Sequence, residues 1–239
     1  MPRTVIVGDL HGCRAELETL LSRVAFGASD RLIAVGDLVA RGPDPAGVID
    51  LLVSLGARAV RGNHEDRLLR HRAREGIGGK PRIGDEHGER PLGAAHRAVV
   101  EALAPRHWAY LAGLPLWIDL PEHGTRVVHA GVVPGVAIEK QKPRTLMYVR
   151  CLGPGGKPVE QRGAALWGAR YDGPPHVIFG HNALPEPQIH RHATGIDTGC
   201  VYGNRLTAIV LPDGAEPPAR EDRQAALVSV PARRAYADV

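Results

Sequence analysis

The sequence predicts an α/β fold, and three observations predict it. Strand-like apolar runs alternate with amphipathic stretches through the first 65 residues, the pattern of repeated βαβ units. The second half is instead a series of short strand-like runs. The chain has 239 residues, 44% hydrophobic and 23% charged, which suits a single globular domain. We expect that domain over residues 1–212, with a loop insertion at 76–93 and a C-terminal tail at 213–239.

The elements follow in order. Residues 4–8 read as a buried strand and 14–24 as a helix, with Leu17, Leu20, Leu21 and Val24 on one face. Residues 32–36 form a second strand. Residues 45–55 form a helix, with Asp44 as its N-cap and Pro45 in its first turn. Residues 57–60 are a third strand and 65–74 a helix. Residues 76–93 are rich in Gly, Pro and charge and predict a mobile surface loop, with a lid over the site as the alternative. Residues 94–111 read as one helix. Strands follow at 116–120, 126–129, 176–179, 188–192 and 206–211, at spacings that suggest a largely antiparallel second sheet. The tail allows one short strand at 225–230.

Composition excludes several function classes. The longest apolar runs fall far short of the roughly 18 residues that span a bilayer. No signal-peptide pattern precedes the first strand, so we expect a cytoplasmic protein without a membrane partner. Cys13, Cys151 and Cys200 form no CxxC pair, which argues for reduced, buried thiols. The net charge of +4 hints at an anionic partner. The arginines are nevertheless dispersed and aromatics are only 4%, so no dedicated nucleic-acid surface is expected.

The chemistry sits in five segments. Gly8-Asp9-Leu10-His11-Gly12, Gly36-Asp37-Leu38-Val39-Ala40-Arg41-Gly42 and Gly62-Asn63-His64-Glu65 each follow a strand, at spacings of one βα unit. His129-Ala130-Gly131 and Gly180-His181-Asn182 do the same further on. Such segments aim carboxylate, imidazole and amide groups into one crevice at the strand ends. A mixed Asp, His and Asn set suits two divalent cations about 3.5–4 Å apart, bridged by one carboxylate and able to activate water against phosphorus.

Together these motifs resemble the calcineurin-like metallophosphoesterases, in particular the branch of diadenosine tetraphosphatases and bacterial phosphoprotein phosphatases. The resemblance runs from Thr4 to Leu211. Gly195-Ile196-Asp197-Thr198-Gly199-Cys200, with Tyr202 to Thr207, also resembles the C-terminal signature of bacterial nucleosyl-tetraphosphatases. The resemblance implies two mixed β-sheets packed as a sandwich with flanking helices, the four-layer metallophosphoesterase fold. It implies Asp9 and His11 on a first metal, Asp37 bridging, and Asn63, His129 and His181 on a second, with Mn²⁺ expected and Fe, Zn, Co or Ni as alternatives. His64 would be the general acid, and Arg41 would hold phosphate oxygens. Substrate would also meet Asn63, His64 and Arg150, an ordinary surface arginine being the alternative for the last.

The sequence departs from the protein-phosphatase pattern at Ala40, where those relatives carry the Asp that orients the histidine acid. An anhydride leaving group needs less proton assistance than an alkoxide. The expected reaction is therefore hydrolysis of a diadenosine polyphosphate by a metal-activated hydroxide. A Ser/Thr or Tyr phosphoprotein substrate is the alternative, and an RNA cap is a further variant.

The remaining histidines have bland expectations. His71, His87, His96, His107 and His123 read as surface residues. His190 and His192 read as one face of a strand, with the site rim as the alternative. Trp167 and Tyr171 read as core, with adenine stacking as the alternative.

Overall fold

The computed structural model describes residues 1–76, 91–163 and 165–238. The loop at 76–93 and His87 lie almost entirely or entirely outside the described residues. In chain order the elements are β1 (Arg3–Val7), α1 (Arg14–Arg23), β2 (Arg31–Ala34), α2 (Pro45–Ser54), β3 (Arg58–Ala59), α3 (Asn63–Arg74), α4 (Ala94–Ala102), α5 (Pro105–Gly113), β4 (Trp117–Leu120), β5 (Thr125–Val128), α6 (Pro143–Tyr148), β6 (Cys151–Leu152), β7 (Pro158–Val159), β8 (His176–Phe179), β9 (Gln188–Ile189), β10 (Ala193–Gly195), β11 (Arg205–Pro212) and β12 (Leu227–Pro231).

Two five-stranded mixed sheets form the centre. The first runs β12-β11-β1-β2-β3, with β1, β2 and β3 parallel and β11 and β12 antiparallel to their neighbours. The second runs β4-β5-β8-β10-β9. Its β5–β8 and β8–β10 ladders are parallel, and only the outer pairs are antiparallel. The expectation of a largely antiparallel second sheet is thus corrected. The long chain between β5 and β8 provides the crossover that a parallel pair needs. The last long strand, β11, leaves that sheet and pairs with β1.

Strand alternation sets the layers. Val5 and Val7 of β1 face the helices and pack with Leu17 and Leu20 of α1 and Leu52 of α2. Ile6 between them faces the other way, into a layer shared with Ile33, Val127, Ile178 and Ile209. That layer is the sheet-on-sheet interface. Val177 and Phe179 of β8 point outward again, against Trp167, Leu146 and Val149. Trp167 is therefore core, and its Nε1 donates to the Ala130 carbonyl at 2.9 Å.

Asp44 caps α2 by accepting the Gly47 N–H at 2.8 Å, as expected. The single helix expected at 94–111 is two helices, broken at Leu103 and Ala104. Both residues adopt extended ψ values, and Pro105 opens α5. Proline disfavours helical geometry in the residue before it. The strand expected at 188–192 is likewise a hairpin, β9 and β10, with His190 and His192 outside both strands. His190 packs on Gly168 and His192 on Gly173, so neither lines the site. β12 pairs with β11 at the sheet edge.

Candidate metal centre

The parallel strands of the two sheets bring their C-terminal ends to one crevice. Asp9 and His11 follow β1, Asp37 follows β2, and Asn63 and His64 open α3 just after β3. His129 follows β5, and His181 follows β8. A sixth segment, carrying Asp197, follows β10. His11, Asp37, Arg41, Asn63, His64, Arg150, Arg162, His181, Asp197 and Tyr202 line the crevice, whose free volume is about 50 Å³. That space suits ions and a few atoms of substrate and is too small for a nucleoside.

The backbone at these turns is strained. His11, Asp37, Arg41 and His181 have φ of 45°, 47°, 72° and 67°. Left-handed backbone costs on the order of 1–3 kcal/mol per non-glycine residue and concentrates at functional sites. The glycines ahead of the ligands permit close approach. A Cβ on Gly36, at φ 98°, would stand 2.9 Å from both the Gly62 nitrogen and His129 Nδ1. A Cβ on Gly180 would collide with the Asp9 carboxylate.

Asp37 is the hub. Its Oδ2 lies 3.6 Å from His11 Nε2, 3.9 Å from His64 Nε2 and 3.5 Å from His129 Nε2. Its Oδ1 accepts the His64 backbone N–H at 3.1 Å. Behind it, Glu65 accepts the N–H groups of Asp37, Leu38, Val39 and Gly62 at 2.8–3.2 Å. His129 Nδ1 meets the Val35 carbonyl at 2.9 Å and His11 Nδ1 meets the Val39 carbonyl at 3.2 Å. Each contact places a proton on Nδ1 and leaves Nε2 as the lone pair facing the crevice. His129 Nε2 also lies 3.0 Å from Asn63 Oδ1. His181 Nε2 is 3.2 Å from the Tyr148 carbonyl, which leaves its Nδ1 for the crevice. Both oxygens of Asp9 accept the His181 backbone N–H at 3.1 Å.

Burial and crowding set the electrostatics. Burial, then the neighbouring Asp197 and Asp37, push the Asp9 carboxyl well above its usual range. Burial and Asp37 among other groups also raise Asp197. Burial opposes ionisation of Asp37 as well, but the imidazoles of His129 and His64 hold it well below the ordinary carboxylate range. Burial lowers His11 to about 4 and shifts His64 and His181 well below the ordinary imidazole range. Neutral imidazole nitrogens and crowded acids are what divalent cations use and neutralise. Among the described residues, two groups have donor atoms within 4.8 Å of one another: His11, Asp37 and His64, and Asp37, His129 and His181. They share Asp37, so the residues present could hold a pair of divalent cations on either side of that carboxylate; Asp9, expected on the first ion, is in neither group, where His64 stands beside His11 instead.

Among the arginines, Arg41 Nη1 is 3.3 Å from His11 Nε2, and its guanidinium stands 5.4 Å from the Tyr202 ring centroid. Arg150 donates to the carbonyls of Glu160 and His181 at 3.0 and 3.3 Å, which fixes it at the crevice wall rather than on the open surface.

Sequence reasoning quoted Asp197 and Tyr202 only within the C-terminal signature, without a site role, and missed Arg162. The signal for Asp197 was present, because Gly195-Ile196-Asp197 repeats the pattern of glycine and acid after a strand. Ending the strand at residue 192 hid it. Reasoning also misplaced three histidines. His96 is buried against His64. His107 is buried, with Nε2 3.0 Å from Asp50 Oδ1. His123 is fully buried between Thr4 and the Ala215 carbonyl. A histidine on the apolar face of a helix or at a sheet end is a paired core residue when a polar partner is within reach.

The sequence profile of the calcineurin-like phosphoesterases matches residues 2–211. A bis(5'-nucleosyl)-tetraphosphatase PrpE [asymmetrical] of Oceanobacillus iheyensis is 30% identical over 231 residues, 87% of this chain and 88% of the relative. The protein of the same name from Halalkalibacterium halodurans is 32% identical, over 87% and 89%. A crystal structure of a candidate diadenosine tetraphosphatase superposes with a TM-score of 0.79 at 35% identity, over 96% of this chain and 93% of that one. A Saccharomyces cerevisiae serine/threonine phosphatase, at 15% identity and a TM-score of 0.58, shares the fold.

Proposed function

The chain belongs to the calcineurin-like phosphoesterase family and is a metal-dependent hydrolase, and from that premise we propose that it cuts the phosphoanhydride chain of a dinucleoside polyphosphate, diadenosine tetraphosphate foremost. The observation that carries this reading is the set of three arginines, Arg41, Arg150 and Arg162, around one small crevice with the ligand cluster. A monoester offers one phosphate to that set, whereas a tetraphosphate offers a run of charged oxygens that three planar guanidinium groups can share. The homologues' names support the substrate, and their designation as asymmetrical supports an uneven cut into a triphosphate and a monophosphate.

In this reading Asp9 and His11 would hold one cation, Asn63, His129 and His181 the other, and Asp37 would serve both. Mixed oxygen and nitrogen donors suit Mn²⁺. Bound there, the pair supplies positive charge for the phosphoryl oxygens and lowers the pKa of water. The chain does the rest. Arg41, Arg150 and Arg162 bind and orient the phosphates. His64, as the imidazolium, gives the proton on its crevice-facing Nε2 to the departing phosphate oxygen and is left with its Nδ1–H. The buried walls exclude bulk water. A cytoplasmic location belongs to the proposal, since Cys13, Cys151 and Cys200 are buried free thiols, in keeping with a reducing compartment.

The test is Mn²⁺-loaded protein given diadenosine tetraphosphate, with products separated by ion exchange and a phosphopeptide at equal concentration as control. The expected products are a nucleoside triphosphate and a monophosphate. Two diphosphates would overturn the asymmetric cut. Turnover of the phosphopeptide alone would overturn the substrate.

A further inference from the structure

The side-chain Nδ1 of His64 lies 3.0 Å from Nε2 of His96. The two ring planes are within 3° of each other, with centroids 4.8 Å apart. Both residues are buried. His96 comes from α4, whose buried positions are His96 and Val99. An apolar residue at position 96 would satisfy packing alone. A buried imidazole costs stability unless it is hydrogen-bonded, and this one is bonded to His64. Position 40, the site of the aspartate that pairs with this histidine in the protein-phosphatase pattern, holds only a methyl group.

We propose that His96 is the positioning residue for His64: its Nε2 lone pair accepts the His64 Nδ1–H, fixing the ring so that His64 Nε2 faces the leaving oxygen. This rests on the reading of His64 as the proton donor: with Nδ1–H held by His96, the proton it gives is a second one, carried on Nε2. The orientation follows from the two ring nitrogens having different neighbours. Nε2 points to the crevice, 3.9 Å from Asp37 Oδ2, and Nδ1 points away from it into α4. A ring flip would forfeit the bond to His96. His11 meets His64 edge-on, with centroids 4.9 Å apart and planes at 86°, and bounds the ring on another side. A neutral imidazole also suits this place better than a carboxylate. It holds the His64 N–H without adding another negative charge beside Asp37, Asp9 and Asp197.

Four variants and one spectrum test the proposal on the full chain. His96→Phe keeps a flat ring and removes the acceptor, and His96→Gln restores an acceptor. With diadenosine tetraphosphate, His96→Phe is expected to lower kcat by about 10–100-fold with KM within about twofold, the size of a general-acid contribution. His96→Gln is expected to recover most of that loss. In the His64→Ala background, adding His96→Phe is expected to change kcat by less than about twofold, because residues that act through one another are not additive. In the Mg²⁺-loaded protein, long-range proton–nitrogen spectra are expected to show His64 protonated on Nδ1, and to show that tautomer lost in His96→Phe. An unreduced kcat in His96→Phe, losses that multiply in the double variant, or an unaltered His64 tautomer would each overturn it. If the parent chain leaves the dinucleotide uncut, the substrate reading fails, and the spectrum still decides the role of His96.

Discussion

Glu65 holds the Asp37 turn from behind. Its Oε2 accepts the N–H of Asp37 at 3.0 Å and of Gly62 at 2.8 Å, and its Oε1 those of Leu38 at 2.9 Å and Val39 at 3.2 Å. One fully buried carboxylate thus ties the loop after β2 to the start of α3 and sets the angle at which Asp37 enters the crevice. Burial and the Asp37 charge raise its pKa to about 7, against the pull of those donors.

Glu65→Ala leaves four buried N–H groups without that acceptor. Each orphaned donor costs about 1–3 kcal/mol before relaxation, so a total loss of about 3–5 kcal/mol is expected. Urea unfolding measures it, and an unshifted midpoint would remove the clamp from the account. Glu65→Gln keeps one acceptor oxygen and is expected to fall between the two.

Asp37→Ala is expected to fold and to lose hydrolysis. The carboxylate lies 3.5–3.9 Å from a ring nitrogen of His11, His64 and His129 and belongs to both candidate ligand groups. Losing it should lower kcat by about 10³-fold or more, which corresponds to several kcal/mol of transition-state stabilisation. Calorimetric titration with Mn²⁺ should show fewer than two sites. Full activity in this variant would sink the mechanism.

The extent to which this was legible in sequence follows a physical line. Ligands that closely follow continuous apolar strand runs, such as Asp9 after Val5-Ile6-Val7 and His129 after Val127-Val128, can be read because the run names both the strand and its end. The two-residue strand β3 was placed only through its neighbours. The His64–His96 pair joins residues on two separate helices, and no local periodicity encodes that contact. His96 looked like a surface residue because an imidazole on a short helix carries no sign of its distant partner. The parallel pairing of β5 with β8 was hidden for the same reason: strand spacing reports turns, and register across a long crossover depends on the folded core.

Arg162→Ala separates a polyphosphate site from a monoester site. Arg162 is an exposed residue that lines the crevice together with Arg150 and Arg41. Removing it should raise KM for diadenosine tetraphosphate by about 10-fold, the value of one charge-assisted contact, with kcat within about twofold. Turnover of p-nitrophenyl phosphate, which has a single phosphate, should be unaffected. Equal losses on both substrates would place Arg162 outside phosphate recognition.

Acid lability should report on His176, which is distant from the ligand cluster in the fold. It opens β8, and its Nε2 lies 2.9 Å from Thr194 Oγ1. Burial, and to a lesser degree the Arg223 charge, lower its pKa to about 3 from an ordinary 6.5. The unfolded chain therefore binds a proton that the folded chain refuses. Stability is unaffected above pH 6.5, falls as pH drops through that value, and stops falling near pH 3. At pH 4.5 the penalty from this residue alone should be about 2–3 kcal/mol. His176→Gln, which cannot titrate, loses some packing at pH 7 but escapes that penalty. The stability gap between the parent and this variant in urea should therefore narrow by about 2–3 kcal/mol between pH 7 and pH 4.5. A gap that stays constant across that range would show that His176 does not limit stability in acid.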